Sequence, residues 1–331
     1  MWKYILRRTL YMIFTVWVIT LVSFAIIQLP PGDYVTNLMN QMTRVSGVTL
    51  TPEFEAQLRE QYGLNEPMHV QYFKWMSNII LKGKFGDSFV YRPPRDAVEL
   101  IAERLPITFT LSFFSLLLIW VIALPIGIYS AVRQYSVGDY IATFLGFIGL
   151  AVPNFLLALI CMFITYQYFG QAMIGLFSAE MSDAPWSWEK FVDLLQHLWI
   201  PVVVIGLGGT AGLIRTMRAN LLDELKKPYV ETARAKGLSE MKLLFKYPVR
   251  HAMNPFVSTI GWILPGLVAG EVVVAIVLNL PTSGPVLYDA LRGQDQFVAA
   301  GFILVLSVLT VIGTFLSDIL LAVLDPRIRL E

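Results

Sequence analysis

Residues 229–255 have the sequence YVETARAKGLSEMKLLFKYPVRHAMNP, which is the longest strongly charged run in the C-terminal half of the chain. Apolar segments flank this run on both sides. Its first part is rich in alanine, which favours helix, and Gly237 suits the left-handed backbone position that ends a helix. Ser239 can cap a second helix. The run therefore predicts two short helices joined at a hinge.

The second of these helices has an apolar face. Met241, Leu244 and Phe245 follow the spacing i, i+3, i+4 and therefore share one side of a helix. Two interpretations follow from this pattern, and the residues alone leave both open. The face docks on a partner protein, or it packs on the protein's own membrane helices.

The composition predicts an integral membrane protein. Of the 331 residues, 56% are hydrophobic and only 15% are charged, whereas charged residues make up about 25% of an ordinary soluble domain. The net charge of +1 does not indicate a nucleic-acid or an acidic partner. The single cysteine, Cys161, excludes a disulfide within the chain and a metal site built on cysteines.

Six apolar stretches are long enough to cross a bilayer, which takes about 20 residues of helix. The first, residues 10–29, follows basic residues as a signal peptide does, but it ends in Pro-Pro-Gly-Asp and not in a small-residue cleavage site. We therefore interpret it as a retained transmembrane helix. The other five stretches are residues 107–132, 143–169, 198–219, 256–280 and 298–324. The third span contains Pro153, so we expect a kink or a tilt there.

The distribution of basic residues predicts the orientation of the spans. With the N-terminus inside, the inner segments carry most of the Lys and Arg near the span ends, and the two short outer loops carry only Lys190 and Arg292. Both termini and residues 229–255 are therefore expected to be cytoplasmic. Residues 31–105 are expected to form a small extracytoplasmic helical domain, with helix starts near Pro52 and Pro67.

The sequence contains no recognised catalytic motif. A phosphate-binding P-loop, a zinc-binding H-E-x-x-H and a nucleophile elbow G-x-S-x-G are all missing. The three histidines are scattered without ligand spacing. The chain therefore has no cofactor site of its own by these criteria, and it is not expected to be an enzyme.

One ionisable residue lies in the middle of a predicted span. Glu271 is next to Gly270 and near Gly266, so its carboxylate has to face protein or water. It lines a translocation path or holds a gate, or it makes a polar contact between closely packed helices. Asn154, near the start of the third span, has the same two possible roles.

Several segments together resemble one known family. They are the first span with its closing PPGD, the run LTPEFEAQLREQYGLNEP, the runs FGDSF and AVELIAERLPITFTLS, the run TARAKGL at 232–238, and the tail SDILLAVLDPRIRL. In this order and spacing they resemble the inner-membrane permease subunit of dipeptide and oligopeptide ABC importers, a binding-protein-dependent permease family. The resemblance covers nearly the whole chain.

This resemblance implies a type I ABC importer permease fold with six transmembrane helices. It implies an N-terminal helix over 1–30, an extracytoplasmic domain over 31–105 and a five-span core over 106–331, with a cytoplasmic coupling region at 221–255. The implied partners are a second homologous permease, two ATPase subunits that hold ATP and Mg, an extracytoplasmic substrate-binding protein and membrane lipid. The implied location is a bacterial or archaeal plasma (inner) membrane.

The resemblance also implies which residues couple to the ATPase. Glu231, Ala233 and Gly237 match the signature positions of the cytoplasmic loop, and Thr232 stands where the family has alanine. The helix after Ser239 would supply the docking contact through Met241, Leu244 and Phe245.

Peptide import has alternatives within the family and outside it. Relatives with this fold also carry oligosaccharides or nickel, and these stay the alternatives within the family. An ion-coupled secondary transporter would need more spans and several ionisable groups at the bilayer midplane. An intramembrane enzyme would need a paired nucleophile and base or a metal pair, and a purely structural anchor would not need the cytoplasmic helices.

Overall fold

The computed structural model describes residues 2–28, 35–36, 39, 42–43, 51–61, 65–88, 95–170, 173–254, 256–257, 272–293 and 295–324. In this part of the chain the regular structure is helical, which confirms the predicted all-α class. The helices with described bounds are, in chain order, α1 Trp2–Gln28, α2 Pro52–Gln61, α3 Met68–Lys82, α4 Ala97–Val132, α5 Val137–Ala151, α6 Asn154–Phe169, α7 Trp188–Leu225, α8 Pro228–Ala235, α9 Glu240–Lys246, α10 Pro248–Ala252, α11 Val272–Val277, α12 Ser283–Arg292 and α13 Gln296–Leu324.

Four of the described helices are long and apolar enough to cross a membrane. Their spanning parts are Ile5–Ile26, Ala97–Val132, Trp188–Leu225 and Phe297–Leu321. The helices α5 and α6 together pass the same test as one broken span or a re-entrant loop. Most of the predicted span over 256–280 lies outside the described residues, so the count of six spans stays a prediction.

The predicted kink of the third span is a sharp bend. The axes of α5 and α6 meet at 97°. Val152 has extended backbone angles, and Pro153 follows it as the residue before α6. Proline has no amide hydrogen and disfavours helix in the residue before it, so the hydrogen-bond ladder ends here and restarts at Asn154.

The chain divides into two compact units, and the first comprises residues 1–9, 107–281 and 312–331. Its main core is formed by buried apolar side chains of α6, α7 and α11, among them Ala158, Ile200, Val204 and Val274. At one end of this unit, Arg8 of α1 forms a 2.8 Å ion pair with Asp318 of α13. This pair joins α1 to α13.

The second unit comprises residues 10–106 and 282–311. Its core includes Leu100, Val298 and Phe302, together with an aromatic cluster around Tyr72 and Trp75 of α3. Two sequence-distant segments are tied here by a buried hydrogen bond, which the Ser88 hydroxyl donates to the Asp295 carboxylate. Gly86 has a φ of +119°, and a Cβ at this position would lie 2.6 Å from the Phe297 ring. The FGDS turn therefore requires glycine for both conformation and space.

Candidate functional site

The helices α8, α9 and α10 form a compact cluster that we call the short-helix module, residues 228–252. Gly237 has a φ of +76° and lies between α8 and α9, as the sequence predicts. A Cβ at this position would meet nothing within 4 Å, so the glycine is required by the backbone conformation and not by space. Arg234 and Glu240 bridge the turn through two hydrogen bonds of 2.6 and 3.1 Å. This exposed pair lowers the pKa of the Glu240 carboxyl, chiefly through the hydrogen bonds from Arg234.

Small and apolar side chains hold the module together and attach it to α7. Ala233 packs in a buried cluster with Val230 and Leu243, which joins α8 to α9. Leu244 packs in a second cluster with Met217 and Leu221 of α7. The module is therefore fixed to the long helix α7 chiefly through α10, whose Val249 and Ala252 belong to the same cluster as Leu244.

The predicted common face of α9 is divided in the structure. Leu244 is buried against α7, whereas Met241 and Phe245 are 67% and 53% exposed. The buried side of α9 is set by the adjacent pair Leu243 and Leu244, so the helix is rotated away from the face that the i, i+3, i+4 spacing predicts. Leu244 therefore packs on the protein's own helices, as one of the two interpretations has it, and docking on a partner through the exposed Met241 and Phe245 stays a prediction.

Ser239 occupies the N-cap position of α9 but makes no side-chain capping hydrogen bond. Its backbone is extended, as the position requires. Glu231 is exposed on α8. The Thr232 hydroxyl, at the position where the family has alanine, donates to the Pro228 carbonyl at 3.0 Å and stays within its own helix.

A tyrosine that the sequence analysis did not single out links three helices. The Tyr229 hydroxyl of α8 donates to Glu224 near the end of α7, and its ring lies 5.8 Å from the imidazole of His251 in α10. Burial raises the pKa of Tyr229, and the hydrogen bond to Glu224 raises it further. Lys227 also donates to Glu224, at 2.6 Å. The Glu224 carboxylate therefore ties the start of the short-helix module to α7 through these two hydrogen bonds.

A second unpredicted link joins α5 to α7. Asp139 is 2% exposed and accepts two hydrogen bonds of 2.8 Å from the Arg218 guanidinium. It also accepts the backbone N–H of Tyr135 at 2.9 Å. Arg218 is adjacent to Met217, the α7 residue that contacts the module. Since the two partners are 79 residues apart in sequence, no local pattern could have identified the pair.

Asn154, a predicted path or gate residue, lies at the bend between α5 and α6. Its amide packs directly over Gly208 of α7, where a Cβ would lie 2.6 Å from Oδ1 and 2.8 Å from Nδ2. Glycine at position 208 of α7 thus leaves room for the polar Asn154 side chain at the break of the span. Glu271, the other predicted path residue, lies outside the described residues, and its role stays a prediction.

Neither metal chemistry nor cysteine chemistry is indicated by the described residues. No group of three or more His, Cys, Asp or Glu in this part of the chain could hold a metal ion. Cys161 is half-buried in α6 and packs beside the main core of its unit. The site is therefore a set of helix contacts centred on α7.

Comparison with known proteins places this arrangement in a family. The family model described as the inner membrane component of binding-protein-dependent transport systems matches residues 123–330, and the model of the N-terminal part of such membrane components matches residues 1–112. The chain belongs to this family of inner membrane transport components. The resemblance predicted from the sequence is thereby confirmed, and this inner membrane component is a multi-pass protein.

Curated relatives match the inner membrane component over nearly its whole length. The oligopeptide transport system permease protein AppB of Bacillus subtilis is 38% identical, with 98% of this chain and 99% of the relative covered. The peptidoglycan transport system permease protein YejB of Agrobacterium fabrum is 31% identical, with 100% and 99% covered. The dipeptide transport system permease protein DppB of Escherichia coli K12 is 29% identical, with 99% of each covered. A solved structure of the MetNI methionine ABC transporter in inward-facing conformations has a TM-score of 0.49 and 18% identity, and the alignment covers 68% of this chain and 96% of that one.

Proposed function

We propose that this chain is the permease subunit of an ATP-driven importer of peptides, and that it forms half of the translocation path. The family membership and the names of its relatives support this proposal. Three of those relatives are named for oligopeptide, dipeptide and peptidoglycan transport. Peptide import is therefore preferred over the oligosaccharide and nickel alternatives, because two of the three names refer to peptides, the third refers to peptidoglycan, which contains both peptide and sugar, and none refers to a metal.

The partners belong to the same proposal. A second homologous permease completes the path, two ATPase subunits bind ATP and Mg, and an external binding protein delivers the substrate. Both termini and the coupling region 221–255 are cytoplasmic, residues 31–105 lie outside the membrane, and residues 106–331 form the core. ATP hydrolysis takes place in the partner subunits, so this chain is not itself an enzyme.

The observation that carries the coupling proposal is the pair of exposed apolar side chains on α9. Met241 and Phe245 are four residues apart on a helix whose buried residues are Leu243, which packs against α8, and Leu244, which belongs to the cluster shared with α7 and α10. Exposed charged residues are close to them in sequence: Glu240, Lys242, Lys246 and Arg250. An apolar centre with a charged rim is the usual anatomy of a protein–protein contact. This face is the docking surface for the ATPase, together with the signature residues Glu231, Ala233 and Gly237 and the cap position Ser239.

The helix α7 supplies a physical route from the docking surface to the membrane. Leu244, Val249 and Ala252 of the module share a buried cluster with Met217 of α7, and Gly208 of the same helix holds the Asn154 amide. A displacement of the module by the ATPase is transmitted along α7, which is one continuous helix over Trp188–Leu225, to the break between α5 and α6. Asn154 is thus proposed to respond to the ATPase, and Glu271 is proposed as a further gate or path residue.

The docking surface is tested by changing its apolar side chains to carboxylates. We expect Met241→Glu or Phe245→Glu to weaken co-purification of the ATPase subunits by about tenfold or more, because a carboxylate would be desolvated in the contact. The matched control is Val137→Glu, which makes the same kind of change at a residue that is 76% exposed and outside the module. The measurement is the ratio of ATPase to permease recovered from the co-expressed complex. Equal recovery of the ATPase with the wild type, the two docking-surface variants and the control would exclude this face as the docking surface.

A further inference from the structure

An open apolar groove lies between α1 and α3, outside the site described above. Its volume is about 460 Å³, and its walls include Trp17, Leu21 and Ala25 of α1 and Met68, Tyr72 and Phe73 of α3. All of these residues belong to the second unit. The volume is in the range of about 300–1,000 Å³ that small-molecule sites occupy.

The Tyr72 hydroxyl in the wall of the groove is already hydrogen-bonded. The Tyr72 and Thr20 hydroxyls share a 2.7 Å hydrogen bond, and Thr20 also donates to the Trp17 carbonyl at 2.7 Å. Phe24 packs edge-on against Tyr72 with 5.5 Å between ring centroids. Apart from the His69 imidazole, the groove therefore offers apolar carbon and no unpaired hydroxyl from this wall, which suits a hydrocarbon better than a peptide or a sugar.

The α1 wall is continuous with a surface that faces lipid. The span Ile5–Ile26 has only 11% of its most apolar window buried inside the protein. Phe14, Trp17 and Val22 of this span are more than half exposed. Because the chain is a multi-pass membrane protein, hydrocarbon is the medium that covers this helix. The groove is thus a concave extension of the lipid-facing surface.

The α3 wall has the pattern of a helix at a membrane interface. Phe73 and Ile80 are 67% and 72% exposed on one side, and Tyr72 and Trp75 are buried on the next. Lys74, Asn78 and Lys82 lie along another side of the same helix and are all exposed. Apolar residues on one face and lysines on the other are typical of helices that lie in the headgroup region.

We propose that this groove binds one acyl chain of a membrane phospholipid. The acyl chain lies between the α1 wall at Leu21 and Ala25 and the α3 wall at Met68 and Phe73. The headgroup of the phospholipid lies at the level of the α3 lysines. This inference needs only the membrane location of the protein, and it does not depend on the proposed substrate or on ATPase docking.

The test uses the whole complex in nanodiscs of phosphatidylethanolamine and phosphatidylglycerol, doped with a phosphatidylethanolamine that carries a diazirine on its acyl chain. After illumination, we expect cross-links on peptides that contain Leu21–Ala25 or Met68–Phe73. Ala25→Trp fills the groove and should lower this labelling about fivefold. Val22→Trp adds the same indole on the adjacent, non-lining face of α1 and should leave the labelling unchanged.

A second variant keeps the test decisive if Ala25→Trp fails to fold. Met68→Glu places a carboxylate on the groove wall at the exposed first residue of α3, where a negative charge is favourable to the helix. It should lower the labelling while the yield of the complex stays constant. Labelling that is equal in the wild type and in both groove variants would overturn the proposal. So would a photo-reactive residue at position 73 that cross-links to the second permease and not to lipid, because the groove would then be a protein contact.

Discussion

Gly127→Ala is expected to lower the free energy of unfolding by about 3 kcal/mol, the upper end of the usual cost of overpacking. A Cβ at Gly127 of α4 would lie 2.6 Å from the Cβ of Met217 and 3.0 Å from the carbonyl oxygen of Ile214, both on α7. These atoms belong to the backbone or are next to it, so they cannot move aside as the end of a flexible side chain can. The two helices would have to separate at Met217, which belongs to the buried cluster that α7 shares with Leu244, Val249 and Ala252 of the module.

The measurement is the melting temperature of the purified complex in detergent, with ATP-driven transport as a second readout. A loss of this size corresponds to a decrease of roughly 8 °C. The matched control is Gly212→Ala, the same change on α7 at a position where a Cβ would meet nothing within 4 Å. We expect the control to keep both its melting temperature and its transport. A common effect of the two alanines would show that helix flexibility, and not the close approach of α4 to α7, is what Gly127 supplies.

Asp139→Ala is expected to cost about 2 kcal/mol, or roughly 5 °C in melting temperature. Removal of one partner of a fully buried ion pair typically costs about 3–5 kcal/mol, because the other charge is left without compensation. We expect less here because the Arg218 side chain is 26% exposed and retains some contact with solvent. The Tyr135 N–H loses its acceptor at the same time.

Two comparisons isolate this effect. Glu240→Ala breaks another two-bond pair with an arginine, but one that is exposed, and it should change the melting temperature much less. The double variant with Asp139→Ala and Arg218→Ala removes the uncompensated charge and should recover at least half of the loss. If the exposed pair proved as costly as the buried one, burial would not be the source of the stabilisation between α5 and α7.

Local sequence patterns predicted the parts of the site that depend on local chemistry. Gly237 at a positive φ and the break at Pro153 both follow from the allowed backbone angles of single residues. The extents of α2 and α3 agree with the helix starts expected near Pro52 and Pro67. Each of these features is decided by neighbours within a few residues.

The features that sequence reasoning missed depend on contacts between distant residues. The apolar spacing of α9 suggested one face, but the packing of α8 on Leu243 and of the cluster shared by α7 and α10 on Leu244 decides which residues are buried, and it leaves Met241 exposed. Asp139 gave no signal, because its partner Arg218 is in another helix. The contact between Asn154 and Gly208 depends on which turn of α7 crosses the bend between α5 and α6.

The central claim is that ATP hydrolysis by docked partners drives peptide import through this subunit. It is tested most directly by uptake of a labelled oligopeptide into proteoliposomes that contain the full complex and its binding protein. We expect uptake to follow ATP in the absence of a proton gradient, and to be lost when Met241→Glu and Phe245→Glu are combined. Uptake that follows an imposed proton gradient, ignores ATP and survives both substitutions would contradict the claim.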